Sequence, residues 1–159
     1  MKIILDGMGG DNAPFSVVEG AVLASRETQH HICIIGQEEL IIPELKKYKY
    51  ESEKISVINA TQVISNDDAP VRAVRSKKDS SIVKGINMVK NGEGDIFISA
   101  GSTGALLAGG LFILGRIQGI DRPALASVYP IVGGIPSLLV DAGANADCKP
   151  NNLLEFGIM

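Results

Sequence analysis

Three short stretches carry residue types that could do chemistry. The first is Asp6-Gly7-Met8-Gly9-Gly10-Asp11-Asn12, the second Ala100-Gly101-Ser102-Thr103-Gly104, and the third Asp141-Ala142-Gly143-Ala144-Asn145. Each follows an apolar run, and the first two lead into helical patterns. Glycine lets backbone N–H groups turn toward a ligand, and a helix N-terminus adds unpaired donors and the positive end of a dipole. Ser102 and Thr103 add hydroxyl donors. The chemistry this suits is the binding of an oxyanion such as phosphate. An ordinary tight strand-to-helix turn would account for any one of these loops; three together make an anion site the stronger reading.

Asp6, Asp11 and Asp141 complicate that reading, since carboxylates repel an anion unless a cation or proton intervenes. They could orient loop amides, bond a ligand hydroxyl, or hold magnesium. Two nucleotide motifs fail. The pair Gly7-x-Gly9 is followed three positions on by Asn12 rather than by the glycine of a dinucleotide fingerprint, and no Gly-Lys-Ser/Thr triplet exists. A zinc site is not expected, because His30, His31, Cys33 and Cys148 lack metal-ligand spacing. Ser102 does not sit in a Gly-x-Ser-x-Gly elbow, and no histidine is placed to activate it.

The elements that would position these loops alternate. Strands are expected over 2–5, 31–35, 55–58 and 95–99, then 124–129 and 137–140 joined through Gly133-Gly134. Helices are expected from Ala13 or Pro14 with Asn12 as cap, over 38–48 with a kink or a division at Pro43, from Ser80 or Ser81 to about 89, and over 104–114. Continuously apolar strands separated by helices predict an α/β fold, a mostly parallel sheet covered on both faces in three layers. In such a sheet ligands bind at the carboxyl ends of the strands, where these loops fall.

The segment Asp67–Ser81 carries Arg72, Arg75, Lys77 and Lys78 within seven positions. It reads as a solvated linker ahead of a capped helix. It could also present Arg72 and Arg75 to a phosphate or to an acidic partner.

Composition narrows the classes. The chain has 159 residues, 45% of them hydrophobic and 21% charged, with a net charge of −3. That suits one globular α/β domain and argues against a nucleic-acid partner, which demands a Lys/Arg excess. Two separated cysteines and the lack of a visible signal peptide predict a cytoplasmic protein. The final segment, 151–159, reads as a helix that stops without a cap, so the chain is expected to be the N-terminal part of a longer one.

Four stretches in order also carry a resemblance: Ile-Ile-Leu-Asp-Gly-Met-Gly-Gly-Asp-Asn-Ala-Pro, Ala-Pro-Val-Arg-Ala-Val-Arg-Ser-Lys-Lys-Asp-Ser-Ser, Ser-Ala-Gly-Ser-Thr-Gly-Ala and Asp-Ala-Gly-Ala-Asn-Ala-Asp-Cys-Lys-Pro. The chain resembles the bacterial phosphate acyltransferases of phospholipid synthesis (the PlsX type) along its whole length. The resemblance implies a fold similar to phosphotransacetylases and to isocitrate and isopropylmalate dehydrogenases. It implies an enzyme that forms acyl-phosphate from acyl-acyl-carrier-protein and inorganic phosphate; no cofactor and no metal ligand is assigned. It also implies a homodimer at full length that associates peripherally with the membrane through parts beyond Met159.

On that footing the phosphate cradle is expected at Asp6, Gly9, Gly10, Asp11, Ser102, Thr103 and Gly104. Asn145 is expected to donate to the oxyanion or to phosphate, and Asp6, Asp11 and Asp141 to orient the loops. Two alternatives remain: a magnesium- and nicotinamide-dependent dehydrogenase of the same fold group, and an inactive fragment that only binds a partner.

Overall fold

The computed structural model describes residues 1–145 and 147–159. The chain divides into two compact units, Met1–Leu114 and Gly115–Met159.

The first unit is built on four strands, β1 (Lys2–Asp6), β2 (His31–Gly36), β3 (Ile55–Asn59) and β4 (Ile96–Ile98), in the order β3-β2-β1-β4. Every neighbouring pair is parallel, with Ile4 opposite Cys33 in one direction and opposite Phe97 in the other. The helices are α1 (Phe15–Glu27), α2 (Glu38–Leu45), α3 (Pro70–Ser76), α4 (Ser81–Lys90) and α5 (Thr103–Gly109), the last continuing as a π-helical turn over Gly110–Leu114.

Strand alternation sends side chains to two cores. Ile32 and Ile34 pack with Val18, Ala21 and Val22 of α1 and Ile41 of α2 on one face. Cys33, Ile35 and Ile4 pack with Met88 of α4 on the other. The sheet is therefore sandwiched between helical layers, the three-layer architecture expected from its uninterrupted apolar strands. A third cluster, with Ile64, Val74, Ile82, Val83, Ile86, Ala105 and Ala108, locks α3, α4 and α5 together.

The chain winds outward from β1 through β2 to β3, then returns to the other side of β1 to form β4. The crossover carries it from the α1–α2 face to the α4 face. Strand order thus reverses between β1 and β4, and at such a switch point the loops leaving the two strands diverge and open a crevice.

Three local expectations are corrected. Asn12 does not cap α1 with its side chain: the helix begins at Phe15, and the Asn12 carbonyl accepts from the Ser16 amide (3.1 Å) and hydroxyl (3.2 Å). The stretch read as a linker holds α3, because Pro70 supplies a preset first turn and Ala73 and Val74 give the short helix a buried face. The helix expected as far as Leu114 is α-helical only to Gly109 and wider beyond it. The cap at Ser80 is as expected, its hydroxyl accepting from the Val83 amide at 3.3 Å. Cys33 is fully buried in the core.

The second unit holds an antiparallel ribbon of β5 (Ala126–Tyr129) and β6 (Ser137–Val140), with Ala126 opposite Val140, and α6 (Pro150–Ile158). The connection turns at Gly133, whose φ of 71° favours glycine. No helix among the described residues is long and apolar enough to cross a membrane.

Two glycines on exposed and buried helix faces should respond oppositely to substitution. A Cβ on Gly85 would lie 2.1 Å from the Phe97 ring, whereas one on Gly20 would meet nothing within 4 Å. Gly85→Val is expected to destabilise by about 1–3 kcal/mol through overpacking. Gly20→Ala is expected to stabilise by about 0.5–1 kcal/mol through backbone entropy. Urea midpoints of the two variants check both signs; a Gly85→Val protein as stable as the parent contradicts the packing of α4 on β4.

Candidate functional site

Asp6 ends β1 and is 1% exposed. Its Oδ1 accepts from the Met8 amide (3.0 Å), a side-chain turn that starts the loop. Its Oδ2 accepts from the Ser99 hydroxyl at 2.6 Å, across 93 residues of sequence. The Ser99 oxygen in turn accepts from the Gly101 amide at 3.0 Å. One buried carboxylate thus fastens the loop after β1 to the loop after β4, at the switch point of the sheet. Its charge is engaged by donors within the fold.

The fastening brings the two backbones into contact. A Cβ on Gly9 would lie 2.6 Å from Asp6 Oδ2 and 2.7 Å from the Gly101 nitrogen, so any side chain there would push the loops apart. Gly10 follows with a φ of 102°. Its carbonyl accepts from the Ala13 amide at 3.2 Å and closes the turn into α1. Gly7 donates to the Ile35 carbonyl at 2.7 Å, anchoring the same loop to β2.

In the second loop Ser102 caps α5, its hydroxyl accepting from the Ala105 amide at 3.3 Å while its own proton remains available to a ligand. Thr103 and Gly104 are the first residues of that helix and are exposed. Among the described residues, the amides of Gly9, Gly10, Ser102, Thr103 and Gly104 donate to no protein acceptor. Asp11 is exposed beside the first loop. Gly104 has a further reason for its identity: a Cβ there would lie 2.7 Å from Pro70, so α3 packs onto the start of α5.

The structure therefore joins two of the three loops singled out from sequence. The third does not follow a strand of the parallel sheet, because β6 pairs with β5 in the ribbon of the second unit. There Asp141 Oδ1 accepts from the Leu125 (3.4 Å) and Ala144 (3.1 Å) amides, and Oδ2 from the Asn145 amide (3.0 Å) and side chain (3.1 Å). Burial alone would raise the Asp141 pKa, but these bonds, led by the Asn145 side chain, together hold it below the usual aspartate range. Asn145 Nδ2 also donates to the Pro123 carbonyl at 3.2 Å, so both its amide protons are committed within the loop.

The basic segment is mostly engaged. Lys77 Nζ bonds Asp68 (2.6 Å) and the Val63 carbonyl (2.8 Å), and this pairing holds the Asp68 carboxyl below its ordinary value. Lys84 pairs with Asp79, which also accepts from the Thr61 amide (2.8 Å) and hydroxyl (2.6 Å), and these bonds depress its pKa strongly. Arg75 lies 5.3 Å above the Phe112 ring. Arg72 is exposed; its carbonyl accepts from the Ser76 hydroxyl at 2.9 Å, and its guanidinium has no hydrogen-bond or ion-pair partner among the described residues. Sequence reading missed Ser99 and Gly101 as the partners of Asp6. Their signal was faint, since only the small polar character of Ser-Ala-Gly after an apolar strand marks them.

This arrangement, an open parallel sheet with glycine-rich loops and free amides at its switch point, defines an α/β domain of the kind in which ligands bind at the carboxyl ends of the strands. Its fold matches that of a phosphotransacetylase from Streptococcus pyogenes, with a TM-score of 0.69 at 24% identity, over 99% of this chain and 51% of that one. A family model described as "Fatty acid synthesis protein" matches residues 1–159, and the chain belongs to that family. Proteins named phosphate acyltransferase from Alkaliphilus oremlandii and Clostridioides difficile are 60% and 55% identical over all 159 residues, which make up 47% of each. One from Halothermothrix orenii is 49% identical over 160 residues, covering all of this chain and 48% of the relative. The chain spans about half the length of the curated relatives it matches.

The depressed Asp141 pKa sets a pH signature. The stabilisation that its ionised form gives the loop is present above the unfolded value near 4 and is lost as pH falls through the lower folded value. The stability difference between the parent and Asp141→Asn is therefore expected to be constant from pH 7 to about 5 and to shrink below about 4. Urea midpoints against pH check this; a difference that stays flat to about pH 2 contradicts the assigned ion.

Proposed function

We propose that this chain is the phosphate-binding half of an acyltransferase that makes acyl-phosphate from acyl-acyl-carrier-protein and inorganic phosphate, an early step of bacterial phospholipid synthesis. The observation that carries the reading is the pair of glycine-rich loops fastened by Asp6 and Ser99, with amides left free at the sheet's switch point. The family and the relatives' names support it over a magnesium- and nicotinamide-dependent dehydrogenase. Dimerisation and peripheral membrane attachment of the full-length protein belong to the same reading, through the resemblance described above.

In this reading the amides of Gly9, Gly10, Thr103 and Gly104 and the hydroxyls of Ser102 and Thr103 hold phosphate. Asp6 orients the first loop from its buried position, and Asp11 flanks it. A phosphate oxygen attacks the thioester carbonyl carbon and forms a tetrahedral oxyanion. The C–S bond then breaks, the electron pair leaves on sulfur, and acyl-phosphate is released. Phosphate is already anionic near neutral pH, and the departing thiol has a reference pKa of about 8.5, so strong acid–base assistance is unnecessary. What catalysis requires is positioning, worth several kcal/mol, and oxyanion donors worth roughly 3 kcal/mol each. Asn145 as a side-chain donor and Asp141 as the residue that orients it are carried in this reading by the resemblance alone.

The test is a phosphate titration with acyl-acyl-carrier-protein, the product being trapped by hydroxylamine as hydroxamate. The protein at the length of its relatives is expected to give saturable, phosphate-dependent hydroxamate. Thr103→Val should raise the phosphate KM about tenfold, the loss of one hydrogen bond to a charged group, without changing the thermal midpoint. Absence of phosphate-dependent product removes the reading, and an unchanged KM in the variant removes Thr103 from the cradle.

A further inference from the structure

The acyl thioester in this reading arrives on a carrier protein, so a second surface must receive that protein near the phosphate loops. We infer that the exposed face made by α3 and the π-helical turn, carrying Arg72, Arg75, Val71 and Phe112, is the docking surface for the carrier protein, and that it receives an acidic face of that partner. This inference rests on the acyltransferase reading and extends it to its macromolecular substrate.

Charge is the first argument. The chain is net negative at −3, yet four basic residues fall between positions 72 and 78. Lys77 is spent on Asp68, and Lys78 reaches the Val74 carbonyl at 3.3 Å. Arg72 and Arg75 are left on the exposed side of α3 with no carboxylate partner among the described residues. A local positive field on a negative protein steers an acidic partner to one place and repels it elsewhere.

The second argument is the kind of side chain. Phe112 is 51% exposed and Val71 44% exposed. Arg75 stacks over Phe112 at 5.3 Å, which holds the guanidinium above an apolar platform rather than in free solvent. Arginine and aromatic residues are the types that anchor protein interfaces.

Position is the third. Pro70, the first residue of α3, packs against Gly104 at the start of α5. The docking face therefore begins beside the loop assigned to phosphate and extends away from it along α3. Arg75, about one and a half turns on and seated over Phe112, belongs to this face and not to the anion cradle.

The experiment compares two acyl donors on the protein at the length of its relatives, the acyl-carrier protein and the same acyl group on pantetheine. The double variant Arg72→Glu/Arg75→Glu is expected to raise the KM for the carrier-borne donor at least about tenfold. Its phosphate KM and its rate with acyl-pantetheine should stay within about twofold, and the salt dependence of kcat/KM should flatten. Arg72→Lys/Arg75→Lys should recover most of the carrier affinity, which shows that the surface is read through its charge. An unchanged carrier KM overturns the inference while leaving the acyltransferase reading intact. An equal loss with both donors also overturns it, since the arginines would then serve the reaction centre. A reversal that changes the oligomeric mass instead assigns the face to a second copy of the chain. No product from the parent with either donor removes the reading and this inference together.

Discussion

A carboxylate buried at the end of the first strand organises the switch-point end of the parallel sheet. Asp6 is almost wholly removed from water, and an isolated charge there would cost several kcal/mol. Its oxygens are met instead by the Met8 amide and the Ser99 hydroxyl, and Ser99 passes the constraint on to Gly101. Charge-assisted bonds of this kind are short and strong, and leaving either partner unmet is costly. The loops after β1 and β4 are therefore obliged to lie together. Everything proposed about phosphate depends on that obligation.

The glycines follow from the same constraint. A ligand-facing loop needs amides in the open, but the structure shows that Gly9 and Gly101 are small because the backbones touch. Gly10 is required by its positive φ, and Gly104 by the contact with Pro70. Three demands, close approach, left-handed backbone and helix packing, thus converge on glycines of which Gly9, Gly10 and Gly104 also leave their amide donors unpaired. An anion at that point would meet the start of α5 and amides already held in place, so little ordering cost would remain.

Much of this was legible in the residues. Continuous apolar runs placed β1 to β4, and glycine-rich breaks marked the loops. The helix α3 was not legible: seven residues with four charges nearby read as linker, and its stability comes from Ala73 and Val74 packing against distant Ile82 and Ala105. The Asn12 cap failed because the helix starts only at Phe15, with Pro14 in the cap position. The third loop looked like the other two by composition, yet strand pairing, a nonlocal property, put it on an antiparallel ribbon. The link from Asp6 to Ser99 spans 93 residues, and no local pattern announces it.

The central claim is that the amides of Gly9, Gly10, Thr103 and Gly104 form one anion cradle. Titrating phosphate into isotope-labelled protein and following backbone amide resonances tests it most directly. The account predicts that these four amides shift together along one saturable curve, while the amides of α2 and of the β3 edge stay still. Shifts confined to exposed lysines and arginines, without saturation at the loops, would contradict it.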